Sequence, residues 1–238
     1  MQVYISNKEI EQLAEGLVHV TYGKPPPQYI DVDAIAAYLK LTVVYESIAE
    51  DDPDKIGFVS DGKTPLTVYR DGKKVKVVYP KNTIVLERFL LAPTEAARRR
   101  FVLAHEIAHI ILGRADPLHT AACFNRVHDT ERQYNLAELR ERMTLSECQA
   151  NNMAACMLMS RPSLADAVRK HFRRKQIPVY GENVFLPKMK PGIQKMTEEF
   201  GVSYTALIIQ LRKYGLLEQR DMTEYFEKTA QDGGEANG

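Results

Sequence analysis

Two histidines and a glutamate stand together in the run Phe101-Val-Leu-Ala-His105-Glu106-Ile-Ala-His109-Ile-Ile-Leu-Gly113. Residues four apart on an α-helix lie one turn apart on the same face, so His105 and His109 can grip one metal ion. Glu106 then projects close to the ion's open position, where a carboxylate can take a proton from a bound water. The plainer alternative is a core helix whose two histidines are satisfied by protein groups. The run is otherwise apolar, however, and a buried helix carrying two imidazoles and a carboxylate needs partners for all three. A metal ion satisfies them together.

A catalytic zinc site usually takes three protein ligands and keeps one position for water. The metzincin arrangement would need a glycine at 112 and a histidine at 115; Leu112 and Ala115 exclude it. The alternative is a glutamate from a later helix, and Glu147 fits. It opens Glu147-Cys-Gln-Ala-Asn151-Asn-Met-Ala-Ala-Cys-Met-Leu-Met159, with Asn151 one turn on. The pair shares a face, Glu147 able to bind metal and Asn151 able to hydrogen-bond the free nitrogen of a ligand histidine. A first-turn acid can also simply complement the dipole of a surface helix, but this helix is strongly apolar, which favours a buried role. His119 and His128 are rival ligands in polar, turn-like sequence, and Glu138, Glu141 and Asp116 rank below them. His19 and His171 lie far from the motif.

Taken together, Phe101-x-x-Ala-His-Glu-x-x-His-x-x-Leu-Gly and Glu147-x-x-Ala150-Asn151-x-x-Ala154-Ala155-x-x-Leu158-Met159 resemble the ImmA/IrrE family of metallo-endopeptidases. That family's second motif usually runs Glu-x-Glu-Ala-Asn-x-Phe-Ala-Ala-x-Leu-Leu-Met-Pro. This chain departs from it at Gln149, Met153, Met157 and Ser160. Loss of the second acid favours Glu147, the first, as ligand. The resemblance covers about residues 30–162, and the 114–145 connection is longer than is usual in the family. It implies an α+β, zincin-like domain in which a small mixed sheet packs on the His-Glu-x-x-His helix, followed by a helical C-terminal region. It further implies Zn²⁺ held by His105, His109 and Glu147, with Glu106 as base, in a cytoplasmic bacterial protein. Several members cut a repressor partner with a helix-turn-helix domain, in mobile-element regulation or stress responses.

The elements that must position these residues are readable in outline. An amphipathic helix is expected from about Asn7 to Val20, with Ile10, Leu13, Leu17 and Val20 on one face. Pro25-Pro26-Pro27 ends it as a stiff spacer. Asp31 or Asp33 caps a helix through Leu39, and Leu41–Tyr45 follows as a β-branched strand. Ser47–Asp54 reads as acidic and turn-rich. Thr67–Arg70 and Val75–Tyr79 form a hairpin about Asp71-Gly72. Thr83–Glu87 is a further strand, with an edge suited to an extended substrate. Thr94 is the expected cap of the central helix and Gly113 its left-handed stop. Arg98-Arg99-Arg100 reads as a solvated face. A short helix is expected near Tyr134–Met143, and Ser146 as cap of the next helix. Ile177–Lys190 reads as a connector. Ile193–Phe200, a turn at Gly201, and Ser203–Tyr214 form a helix-turn-helix-like pair.

Composition narrows the function classes. The chain has 238 residues, 45% hydrophobic and 26% charged, as an ordinary soluble globular protein does. A net charge of +1 gives no global reason to expect nucleic acid or an anionic membrane as partner. The helix pair presents only Arg212 and Lys213 as cations on its second helix, so packing or substrate docking is favoured over DNA reading. No apolar run approaches the roughly 20 residues that cross a bilayer, and no signal peptide is expected at the N-terminus. Three cysteines, Cys123, Cys148 and Cys156, do not make a disulfide framework, which fits a reduced, cytoplasmic setting. The expected organisation is an N-terminal helix and Pro-rich spacer at 1–30 and a zincin-like metallopeptidase domain at 31–165. A helical region at 166–230 and a disordered tail at 231–238 complete it. Three functions remain in view: a zinc endopeptidase acting on a protein partner, a DNA-binding regulator with a structural or sensing metal, and an inactive interaction module.

Overall fold

A computed structural model of the chain describes residues 5–51, 55–115, 123–126 and 145–234. They fall into two compact units, Met1–Ser160 and Arg161–Gly238. The expected helix near Tyr134–Met143 lies outside the described residues.

The first unit is built on a mixed sheet. Strands β1 (Thr42–Glu46), β2 (Lys55–Val59), β5 (Thr83–Glu87) and β6 (Cys123–Arg126) stand in the order β1-β5-β2-β6. β1 runs parallel to β5, and β2 runs antiparallel to both β5 and β6. Thr83, Ile84, Val85 and Leu86 are all buried, the continuous apolar run of a strand covered on both faces. β5 is therefore interior and paired on both sides, so it cannot lend an edge to a substrate. Among the described residues the outer strands of this sheet are β1 and β6. Behind the sheet, β3 (Leu66–Arg70) and β4 (Lys73–Val77) form the expected hairpin. Asp71 and Gly72 both take positive φ at its turn, as the mirror-image turns of tight hairpins require. Leu66 and Val68 join Phe58, Tyr79 and Val85 in one apolar cluster.

Helix α3 (Ala96–Ala115) packs on this sheet. Val102, Leu103, Ala104, Ile107, Ala108 and Leu112 are buried along it. Its start differs from the expected Thr94 cap. Pro93–Glu95 forms a 3₁₀ turn without a side-chain cap, and the α-helix begins at Ala96. Gly113 is no stop either; the helix continues through it to Ala115, because packing overrides the weak preference of a lone glycine. The arginine run is a solvated face only in part, at Arg98. Arg100 is buried, lies 3.9 Å from the Tyr29 ring centroid and donates to the Ile30 carbonyl oxygen at 2.5 Å. Arg99 pairs with Asp33 at 2.7 Å and donates to Tyr45 Oη at 2.6 Å. Arg99 ties α3 to helix α2 (Val32–Tyr38) and to β1, and Arg100 ties it to the segment just before α2.

Helix α4 (Leu145–Leu158) lies against α3, and helix α1 (Asn7–Tyr22) lies against α4. Ser146 is the second residue of α4 rather than its cap. Ser6 and Glu9 close α1 with a reciprocal capping box. Its buried face is Ile10, Ala14, Leu17 and Val18, whereas Leu13 and Val20 are exposed. Ile10 and Leu17 are shared with the expected stripe, and Ala14 and Val18 replace Leu13 and Val20. Gln149, which departs from the familiar motif, donates to the Ile5 carbonyl at 2.9 Å, and Asn152 donates to Asn7 Oδ1 at 2.7 Å.

The second unit contains α5 (Arg161–Phe172), β7 (Ile177–Tyr180), α6 (Lys190–Phe200), α7 (Tyr204–Lys213), β8 (Leu217–Arg220) and α8 (Met222–Gly234). Gly201 adopts the left-handed conformation and Ser203 accepts from the Ala206 amide, so α6 and α7 form the expected helix–turn–helix pair. The expected connector holds a strand: β7 pairs in parallel with β8. Ile177, Val179 and Tyr180 are buried on it. Residues to Gly234 are helical, and 235–238 lie outside the described residues. No helix among the described residues is long and apolar enough to cross a membrane.

Candidate metal centre

His105 and His109 face inward from α3 one turn apart, and Glu147 meets them from the first turn of α4. The two ring Nε2 atoms stand 2.8 Å apart. Glu147 Oε2 lies 3.2 Å from His105 Nε2, and Oε1 lies 3.2 Å from His109 Nε2. Asn151, one turn along α4, places Oδ1 2.8 Å from His105 Nδ1. An amide oxygen only accepts, so this contact assigns the proton of His105 to Nδ1 and turns the Nε2 lone pair inward.

The charge states follow from burial and partners. Burial pushes the His105 pKa down against the opposing pull of the Glu147 carboxylate, so the ring is neutral at pH 7. Burial also pushes Glu147 up, but the proton that His109 can offer it draws the carboxyl down, and it stays ionised at pH 7. A neutral His105 with its proton on Nδ1 has no proton to give Glu147 or His109. One proton on His109 Nε2 can serve only one of the three contacts. A single cation at their centre serves all three. Donors about 2.0–2.2 Å from a tetrahedral ion stand roughly 3.3–3.6 Å apart. The two 3.2 Å contacts lie close to the lower end of that spacing, and the 2.8 Å contact needs only a small opening. His105, His109 and Glu147 are also the cluster of potential metal-holding side chains found among the described residues. The donor set fits a divalent metal, and two imidazoles with one carboxylate are what zinc accepts.

Glu106 follows His105 on α3 and is fully buried. Its carboxylate lies against β2 at Gly57. The contact at Gly57 was not anticipated from sequence; the available signal was a lone glycine inside the apolar strand Lys55-Ile-Gly-Phe-Val59. Asp116, His119, His128, Tyr134, Glu138 and Glu141 lie outside the described residues. His19 belongs to α1, and His171 belongs to the second unit, where it pairs with Glu199 at 2.9 Å.

Comparison with known proteins agrees with this geometry. No curated protein matches the chain. The model of the Peptidase_M78 family, described as the IrrE N-terminal-like domain, matches residues 36–212. That span holds His105, Glu106, His109, Glu147 and Asn151 and continues through the α6–α7 pair. It exceeds half of the chain, and the chain therefore belongs to the Peptidase_M78 family, with a metallopeptidase-type domain.

Proposed function

We propose that this protein is a zinc-dependent endopeptidase that cleaves a protein partner in the cytoplasm, the substrate class being a helix-turn-helix transcriptional repressor. One observation carries the hydrolytic part: three donors within 4.8 Å of one another, with a carboxylate at the next residue of the same helix. A ligand site alone has no use for that carboxylate. Bound there, Zn²⁺ supplies Lewis acidity, lowering the pKa of a coordinated water towards neutrality and polarising a carbonyl. His105, His109 and Glu147 hold the ion, and Asn151 keeps the His105 ring in the ligating tautomer and orientation. Glu106 takes the proton of the attacking water and delivers it to the leaving amine as the peptide bond breaks. The repressor substrate, and with it a role in transcription regulation of a mobile element, rests on the resemblance of the two motifs to the ImmA/IrrE peptidases. The cytoplasmic setting rests on the odd, small cysteine count of the sequence, Cys123, Cys148 and Cys156.

The test is incubation of zinc-loaded protein with a purified candidate repressor, followed by mass spectrometry. A discrete cut that chelation prevents supports the reading, and an intact repressor under both conditions contradicts the substrate assignment. The α6–α7 pair is what favours the second reading, a DNA-binding regulator. Its cations argue against it. Arg212 is engaged by Asn183 at 2.9 Å and by the Glu182 carbonyl, and it shares the exposed positions of α7 with Lys213 and the uncharged Tyr204 and Ile209. Tight, salt-sensitive binding of the full chain to a defined DNA sequence would reverse that judgement.

A further inference from the structure

The place of the Glu106 carboxylate is set by a residue on another element. An ideal Cβ built on Gly57 stands 2.2 Å from Glu106 Oε1, 3.0 Å from its Cδ and 3.2 Å from Val102 Cγ1. Any side chain at position 57 would occupy the space the carboxylate fills. The backbone itself does not call for glycine, since Gly57 is not among the residues with positive φ. Glycine in a strand interior gives up packing and costs chain entropy, so a glycine with ordinary backbone angles there marks a close approach. The strand cannot simply recede. Ile56 and Phe58 on its opposite face are buried, Phe58 within the cluster of Leu66, Val68, Tyr79 and Val85. Gly57 pairs with Leu86 on one side and Asn125 on the other, and the register with β6 slips between Lys55 and Gly57. Such irregularities re-aim a strand locally.

We propose that Gly57 is the positioning residue for Glu106: its bare backbone forms the wall against which the carboxylate rests, one residue along α3 from the first metal donor. The contact stands on geometry alone. Its catalytic consequence rests on the peptidase reading above. A methyl group at 57 displaces the carboxylate by about an ångström and leaves the His105, His109 and Glu147 donors in place.

Full-length Gly57→Ala, Glu106→Ala and the double variant test the contact, beside wild type. In metal-free protein Gly57→Ala lowers Tm, and adding Glu106→Ala recovers most of the loss because the conflicting atoms are gone. If Gly57→Ala does not fold, a folded double variant supports the contact and an unfolded one overturns it. An unchanged Tm, or an equal loss with and without the Glu106 side chain, also overturns it. In zinc-loaded protein, Gly57→Ala keeps one zinc per chain and the KM for fluorescently quenched casein. Its kcat falls about 100-fold, the scale of a 1 Å misplacement. Combining Gly57→Ala with Glu106→Asp recovers part of that loss, because the shorter carboxylate withdraws from the strand. The expected Tm pattern with kcat unchanged overturns the positioning role and leaves the peptidase reading intact. Absent casein cleavage by wild type moves the kcat comparison to the repressor substrate, and the Tm cycle decides the contact alone.

Discussion

At the scale of single residues, burial and hydrogen bonding prepare His105 and Glu147 for the proposed metal. Asn151 is the clearest case, holding the Nδ1 proton of His105 at 2.8 Å. Asn151→Ala should weaken zinc binding by about 10–100-fold, the usual effect of removing such a support, measured by competition with a chromophoric chelator. Asn151→Asp, which keeps the acceptor, should retain most of the affinity. The pKa shifts make a second prediction. His105 is held below its ordinary 6.5 in the folded state, so its contribution to stability is full above 6.5 and lost as pH falls below it. Glu147 titrates at about 2 when folded against 4.5 ordinarily, so its contribution is present above 4.5 and lost as pH falls towards 2. Both signs agree. The urea midpoint of metal-free protein should be level from pH 8 to 7 and fall between pH 6 and 3; a midpoint that rises on acidification would contradict these charge states.

At the scale of elements, α3 and α4 are the pair that matters, and their stability lies in buried apolar contacts. Leu103 is fully buried two residues before His105. Leu103→Ala should cost about 2–5 kcal/mol in urea unfolding, whereas exposed Leu91→Ala should stay within about 0.5 kcal/mol. The metal motif was legible from the chain because helical spacing is local: His105 and His109, like Glu147 and Asn151, share a face by arithmetic. The hairpin about Asp71-Gly72 and the turn at Gly201 were legible because their backbone angles demand those residues. Strand β2 was not, since Lys55-Ile-Gly-Phe-Val follows an acidic stretch and carries a glycine that only its contact with Glu106 explains. Arg99 and Arg100 were misread for a related reason. A run of three arginines looks solvated until Asp33, Tyr45, Tyr29 and the Ile30 carbonyl are brought to it by the fold.

At the scale of the whole molecule, the candidate donors and the proposed base all belong to the unit Met1–Ser160, and the helix–turn–helix pair to Arg161–Gly238. Metal binding should therefore stabilise one unit selectively. Zinc at 1,000 times its dissociation constant adds about 4 kcal/mol to the state that binds it. Chelation should lower the hydrogen-exchange protection of α3 and α4 and leave that of α6 and α7 unchanged; equal loss in both units would contradict this assignment.

In the proposed reaction His105, His109 and Glu147 hold zinc while Glu106 moves the proton. Comparing wild type with Glu106→Gln for zinc content and peptide-bond cleavage in the same preparation separates the two roles. One zinc per chain in both proteins, with cleavage by wild type alone, is the expected result. Cleavage that survives Glu106→Gln, or zinc that leaves with the carboxylate, would contradict it.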